Sequence, residues 1–142
     1  MPPKTIIGRI EKVSFPDLEV DKIQAKIDTG AYTSSIHCTR IKEQDGFLEF
    51  HIPLKKGSKN AKNLYRTSDF KKKEIKSSNG QVQSRYIIKT RIEILGKTYL
   101  SEFSLANRSE MKNAVLLGRK LLKGRFLVDV SLRNISTKNT KK

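Results

Sequence analysis

The sequence predicts an all-β domain with one short C-terminal helix. Three observations carry that prediction. β-Branched and aromatic residues recur at alternate positions, as in Ile88, Thr90, Ile92 and Ile94 or Tyr99, Ser101, Phe103 and Leu105, which is the period of a strand with one buried face. Turn-forming pairs separate the runs: Asp45-Gly46, Asn79-Gly80 and Gly96-Lys97. The one stretch that reads as helix, Arg119 to Lys123, has room for a turn or two before Gly124 stops it.

In chain order, residues 1–4 read as a tail and residues 5–132 as one domain, a size at which a real core can be buried. Thr5 to Val13 is the first predicted strand, and Phe15-Pro16-Asp17 a turn. Leu18 to Ile27 follows, split by a tight turn or bulge at Asp21-Lys22. Ser35 to Glu43 and Phe47 to Leu54 form a hairpin about Asp45-Gly46, with Leu48, Phe50 and Ile52 facing the core. Residues 55–79 break the pattern and read as a long basic insertion, carrying eight lysines and one arginine against Asp69 and Glu74, a net of +7. The longest hairpin runs from Val82 to Leu95 and from Thr98 to Leu105, with Gly96-Lys97 as a type II′ turn. Asn107 to Lys112 is a polar connection. Ala114 to Leu117 is a short apolar strand ending at Gly118, and Arg125 to Val130 is the last strand. Residues 133–142, with four basic side chains and no acid, read as a disordered basic tail.

The charge balance is the compositional anomaly: 30 Lys+Arg against 14 Asp+Glu, a net of +16. Such a field recruits polyanions, whether nucleic acid, an anionic membrane surface or an acidic polypeptide. The single cysteine, Cys38, excludes an internal disulfide and fits a reducing compartment. No apolar run approaches the ~20 residues that span a bilayer, and the N-terminus lacks a signal-peptide core. The expected location is the cytoplasm, without a membrane partner.

The chemistry-bearing stretch is Ile27-Asp28-Thr29-Gly30-Ala31, followed by Tyr32-Thr33-Ser34-Ser35. A strand delivers a carboxylate to its tip. Gly30 then turns the chain at no steric cost, and the small hydroxyl side chains of Thr33 to Ser35 can tie off loose backbone groups. Far down the chain stands Leu116-Leu117-Gly118-Arg119, an apolar strand running into the short helix.

These two motifs, in this order, resemble those of retropepsin-type aspartic peptidases. More closely, Lys-Ile-Asp-Thr-Gly-Ala-x-Thr-Ser-Ser-Ile-His, Asn107 to Met111, Leu-Leu-Gly-Arg and the late Leu-Val-Asp resemble a bacterial and archaeal family. It is often labelled "ATP-dependent zinc protease" and is associated with ATP-grasp glutamate ligases. The resemblance covers about residues 5–131. It implies a retropepsin-like closed β-barrel in which the apolar-Gly strand threads beside the aspartate loop. It also implies peptide hydrolysis with Asp28, Thr29 and Gly30 as the catalytic triplet, and a functional link to such a ligase. Some members of that family are thought to trim poly-glutamate, an acidic peptide substrate that a basic domain would attract. Arg85, Arg91, Arg108 and Arg119 are the candidate carboxylate grips.

Aspartic peptidases use two carboxylates that share a proton. This chain has one Asp-Thr-Gly, and Asp129 in Leu-Val-Asp-Val-Ser lacks the glycine turn and reads as structural. The second acid is therefore expected from the mate of a C2 homodimer, with Thr29 bracing the two loops across the axis. The basic insertion is the candidate flap over the cleft. No cofactor and no metal are expected. His37 and Cys38 are adjacent and point to opposite faces of a strand, and His51 is the only other histidine. Two rival readings stand beside the peptidase: a nucleic-acid-binding β-domain, supported by the net charge and Lys71-Lys72-Lys73, and a retropepsin-like scaffold that has lost activity and binds a partner.

Overall fold

The computed structural model describes residues 3–53, 64–76, 80–106 and 113–135. Among these, in chain order, stand β1 (Thr5–Ile7), β2 (Ile10–Phe15), a 3-10 turn (Pro16–Leu18), β3 (Val20–Ile27), β4 (Ser34–His37), β5 (Thr39–Gln44) and β6 (Phe47–His51). They continue with β7 (Leu64–Thr67), β8 (Phe70–Lys76), β9 (Val82–Ile94), β10 (Lys97–Ala106), β11 (Val115–Leu117), α1 (Arg119–Leu122) and β12 (Phe126–Val128). The order β10-β4-β11-β3-β2-β9 closes on itself, because β9 also pairs with β10, and β8 lies on the outer side of β9. The result is the expected closed β-barrel with one short helix.

Alternation decides which side chains fill the barrel. Ile88, Thr90, Ile92 and Ile94 of β9 are buried, as are Phe103 and Leu105 of β10. Val13 and Phe15 of β2 meet them, and the Phe15 and Phe103 rings pack edge to face with centroids 5.2 Å apart. Leu48, Phe50 and Ile52 turn inward as predicted, at 0, 1 and 1% exposure.

The connection that shapes the molecule is the one between β3 and β4. These strands are consecutive in the chain but not neighbours in the sheet. β11 lies between them, parallel to β3 (Leu117 opposite Ile27) and antiparallel to β4 (Val115 opposite Ile36). With strands ~4.8 Å apart, residues 28–33 must cross about 10 Å over the C-terminal end of β11.

Several predicted elements are cut differently. Thr5 to Val13 is two strands, because β1 pairs with β12 while β2 joins the barrel. The break is at Gly8, where a Cβ would lie 2.6 Å from the Leu132 carbonyl oxygen. Ser35 to Glu43 likewise divides at Cys38, with β4 in the barrel and β5 in a separate sheet with β6 and β7. The long hairpin turns on Leu95 and Gly96, both at positive φ (51° and 80°), so Gly96 is second in a type I′ turn and not first in a type II′ turn. The bulge near Asp21-Lys22 is present: Lys22 has φ 53° and its N–H donates to Ser14 Oγ at 3.0 Å.

The basic insertion is not a featureless loop over its described part. Leu64–Thr67 pairs with β6 and Phe70–Lys76 pairs with β9. Phe70 packs on Tyr86 and Tyr65 on Phe50, which is why aromatic residues punctuate that charged stretch. The remainder of the insertion, the polar connection at 107–112 and the tail from 136 onward lie outside the described residues. Residues 133–135, expected as the start of a loose tail, are fastened: Asn134 N–H donates to the Ile10 carbonyl at 2.7 Å and Ile135 N–H to Glu11 Oε2 at 3.2 Å.

Glu11 is fully buried on β2, and Oε2 also accepts from Gly8 N–H at 2.9 Å. One carboxylate thereby ties the β1–β2 break to the end of the described chain. Removing it strands at least two backbone donors and opens a void. Glu11→Ala is expected to cost about 2–5 kcal/mol of unfolding free energy, read by urea denaturation.

Candidate active site

Ile27 ends β3 opposite Leu117, and the next N–H, that of Asp28, donates to the Leu117 carbonyl at 2.9 Å. The ladder therefore continues one residue past the strand and delivers Asp28 at the rim of the barrel. Asp28 is half-buried, while Thr29 and Gly30 are exposed. Gly30 N–H donates to Asp28 Oδ1 at 3.0 Å, and Ala31 N–H donates to the Asp28 carbonyl at 3.1 Å. The loop folds back on its own carboxylate, and Oδ2 has no hydrogen-bond partner among the described residues.

The loop is clamped from below by the start of α1. A helix leaves its first backbone N–H groups without partners of its own. Here Gly118 N–H donates to the buried Ser34 Oγ at 3.0 Å, Arg119 N–H to the Ala31 carbonyl at 2.8 Å and Lys120 N–H to the Tyr32 carbonyl at 2.9 Å. Ser34 is thus one of the hydroxyl residues that ties off a loose backbone group. The approach is possible only because residue 118 has no side chain: a Cβ there would meet the Ala31 and Tyr32 carbonyl oxygens at 2.8 Å each.

Gly30 differs from its expected role. Its φ is not left-handed, so the turn does not demand glycine on dihedral grounds. What it supplies is room, since a Cβ would lie 3.3 Å from Asp28 Oδ1.

The four predicted arginines go to different places. Arg119 joins the aspartate loop: one guanidinium nitrogen donates to the Thr29 carbonyl at 2.9 Å, and the group stands 5.8 Å from the Tyr32 ring centroid. Arg91 is bound to Asp17 in an ion pair as short as 2.5 Å, at the end of β9 that faces the 3-10 turn. That guanidinium holds the Asp17 carboxyl below the usual range and is itself shifted up. Arg85 lies on the β8–β9 hairpin opposite Lys73, its guanidinium on Gln83 at 3.3 Å. Arg108 lies outside the described residues. The structure thus brings Asp28, Thr29, Gly30 and Arg119 together, and Arg91 is not with them.

Asp129 closes its own turn, accepting from the Ser131 backbone N–H at 2.9 Å and from the Ser131 hydroxyl; both bonds hold its carboxyl below the usual range. The described residues form no zinc site. Cys38 is fully buried and its thiol pKa is pushed up by that burial, His51 Nδ1 is 3.0 Å from Thr39 Oγ1, and no three His, Cys, Asp or Glu side chains converge as ligands among the described residues.

Sequence reasoning did not anticipate the role of Glu102, which takes Lys120 of α1 and Lys71 of β8 on its two oxygens. Two lysines and one glutamate so far apart in sequence leave no local signal.

A family model described as the retropepsin-like aspartic endopeptidase RimB matches residues 6–139. Two curated relatives are named probable alpha-L-glutamate ligase. The Shewanella halifaxensis protein is 36% identical over 132 residues, covering 90% of this chain and 29% of the ligase. The Desulfotalea psychrophila protein is 35% identical over 135 residues, covering 92% and 29%. The chain therefore spans less than a third of the length of these relatives. A crystal structure of a Legionella pneumophila protein of unknown function, Lpg0085, aligns with a TM-score of 0.73 at 26% identity, covering 94% of this chain and 99% of that one.

The two glycines of the site have separable roles. Gly118→Ala forces backbone apart and is expected to cost about 1–3 kcal/mol of stability, read as a lowered melting temperature. Gly30→Ala meets only a side-chain oxygen, so the protein should melt nearly where the wild type does while the Asp28 carboxylate is displaced. Its signature is a loss of any Asp28-dependent activity larger than its loss of stability.

Proposed function

Given that the chain belongs to the RimB-like family of retropepsin-like aspartic endopeptidases, we propose that it hydrolyses peptide bonds with a water activated by Asp28. The single observation that carries this reading is the half-buried Asp28 carboxylate at the barrel rim, with one oxygen on Gly30 N–H and the other unpartnered among the described residues. Its loop is held at the Ala31 and Tyr32 carbonyls by the first two helix N–H groups, and Gly118 N–H fastens the adjoining Ser34. A positioned carboxylate of this kind is what acid–base catalysis needs.

The chemistry requires a second carboxyl group. An ionised Asp28 takes a proton from water as the water oxygen attacks the scissile carbonyl carbon. A protonated partner carboxyl gives its hydrogen to the carbonyl oxygen. Collapse of the tetrahedral intermediate breaks the C–N bond, with a proton passing to the departing nitrogen, and leaves a carboxylic acid and an amine. Because this chain has one Asp-Thr-Gly and Asp129 is occupied in its own turn, the partner is Asp28 of a second copy across a two-fold axis. Exposed apolar side chains support that assembly. Ile6, Leu127 and Val130, at 52, 55 and 73% exposure, lie on or beside the two-stranded β1–β12 sheet.

The substrate in this reading is an acidic peptide, a glutamate chain. The net charge of +16 supports it, as does the ligase name carried by relatives that contain a stretch like this chain. Arg119 stands beside the aspartate loop to orient a substrate carboxylate, and Lys71 to Lys73 on β8 add long-range attraction. In the cytoplasm such an enzyme would trim chains that a glutamate ligase extends.

Asp28→Asn is expected to abolish cleavage of oligo-glutamate peptides with an almost unchanged melting temperature. Turnover that survives the substitution would move the chemistry elsewhere, and absence of turnover in the wild type would leave a binding module. Sedimentation should show a dimer in the presence of substrate analogue. Val130→Asp with Leu127→Asp should lower both dimer content and cleavage; a monomer that still cleaves would require a second acid from the same chain.

A further inference from the structure

On the outer face of the β9–β10 hairpin, beside α1, lies a cleft of about 240 Å³ lined by Lys89, Leu100, Ser101, Glu102, Lys120 and Arg125. Its centre is Glu102, whose side chain is 13% exposed. Lys71 Nζ sits 2.8 Å from one oxygen, and Lys120 bonds the other. Lys120 first and Lys71 second hold the Glu102 carboxyl down to about 2, so it stays ionised and keeps both ammonium groups at the rim. Lys89 is the direct cross-strand partner of Glu102 and has no ion pair among the described residues. Arg125 donates to the Leu121 carbonyl at 2.9 Å and lies 5.4 Å from the Tyr99 ring centroid, with no acid of its own among the described residues. Four cations thus surround one carboxylate, a local excess of +3.

We propose that this cleft is a second binding site for an acidic peptide segment, separate from the aspartate loop and acting as an exosite. Two features select the ligand. Each cation is largely exposed and separately worth no more than ~1 kcal/mol to a single carboxylate, so only a ligand presenting several anions in a row binds measurably. The exposed Leu100 (60%) gives an aliphatic surface that suits glutamate methylene groups. Nucleic acid is disfavoured because no aromatic residue lines the cleft among the described residues, and the neighbouring Tyr99 ring is engaged by Arg125 and packed at an angle against Phe126. The site also touches the aspartate loop through one residue, since Lys120 places its side chain in the cleft while its N–H holds the Tyr32 carbonyl. The proposal rests on the catalytic reading only for the choice of an acidic peptide as ligand.

The test uses the full chain with Asp28→Asn, so that binding is read without cleavage, and a fluorescently labelled oligo-glutamate peptide followed by anisotropy. Adding Lys89→Glu should weaken binding by about tenfold, with only a small drop in melting temperature, since Lys89 has no ion pair among the described residues and the new carboxylate stands opposite Glu102 on a solvent-exposed face. Adding Glu102→Gln should strengthen binding, since it removes the one anion and frees two lysines. The opposite sign of the two effects separates a specific site from general unfolding. Affinity should fall as salt rises. The proposal is overturned by absence of peptide binding, by Lys89→Glu leaving affinity within about twofold, or by single-stranded RNA binding more tightly than the peptide in a Lys89-dependent way. Cleavage by the wild type is measured in parallel. Hydrolysis with no Lys89-dependent binding sinks the cleft and leaves the catalytic reading, whereas Lys89-dependent binding without hydrolysis does the reverse.

Discussion

The structure depends on a reciprocal contact between one loop and one helix end. A strand inserted between β3 and β4 forces residues 28–33 to arch over the terminus of β11, where past Asp28 no sheet ladder can satisfy them. The first N–H groups of α1 are equally without partners. Each set solves the other's problem: the loop's carbonyls and Ser34 Oγ cap the helix, and the helix holds the loop still. Neither would be ordered alone, since a four-residue helix is far too short to be stable by itself. Gly118 is the point at which the two backbones come closest.

That contact explains how a rim position becomes rigid. Loops are ordinarily the mobile part of a barrel. Here the aspartate loop has its start on the β11 ladder, its middle on two helix N–H groups and the Arg119 guanidinium, and its end on β4. Thr29 and Gly30 remain exposed at the crest, so the immobilised carboxylate faces outward and not into the core.

The charge of the chain is spent in three different ways. Some cations are structural, as Arg91 on Asp17. Others bind backbone carbonyls, as Arg119 on Thr29 and Arg125 on Leu121. A third group, including Lys89 and Lys73, is exposed without an acid partner among the described residues and supplies the external field. Net charge alone does not sort a given arginine into one of these groups, because the sorting depends on which acid or carbonyl the fold brings alongside it. Arg91 and Arg119 look alike in sequence, and only the 3-10 turn that presents Asp17 makes the first a structural residue.

The all-β class, the inward faces of β6, β9 and β10, the bulge at Lys22 and the aspartate-bearing tip of β3 were legible in the local sequence, because each follows from residues within about a dozen positions of one another, whereas closure into a barrel came only with the family resemblance. The pairing of Asp-Thr-Gly with Leu-Leu-Gly-Arg was legible only through family resemblance. Strand division at Gly8 and Cys38 was not legible, since a run of strand-forming residues carries no mark of which sheet will take each half. Ile75 and its neighbours in the insertion read as a loop because lysines dominate them, yet pairing with β9 makes them a strand. Local pattern by itself determined that this chain forms strands and where a carboxylate would sit on one of them. Tertiary structure alone decided that β11 would pass between β3 and β4, because inserting a strand between two chain neighbours is a long-range hydrogen-bonding choice, and from it follow the arch, the clamp and the close approach at Gly118.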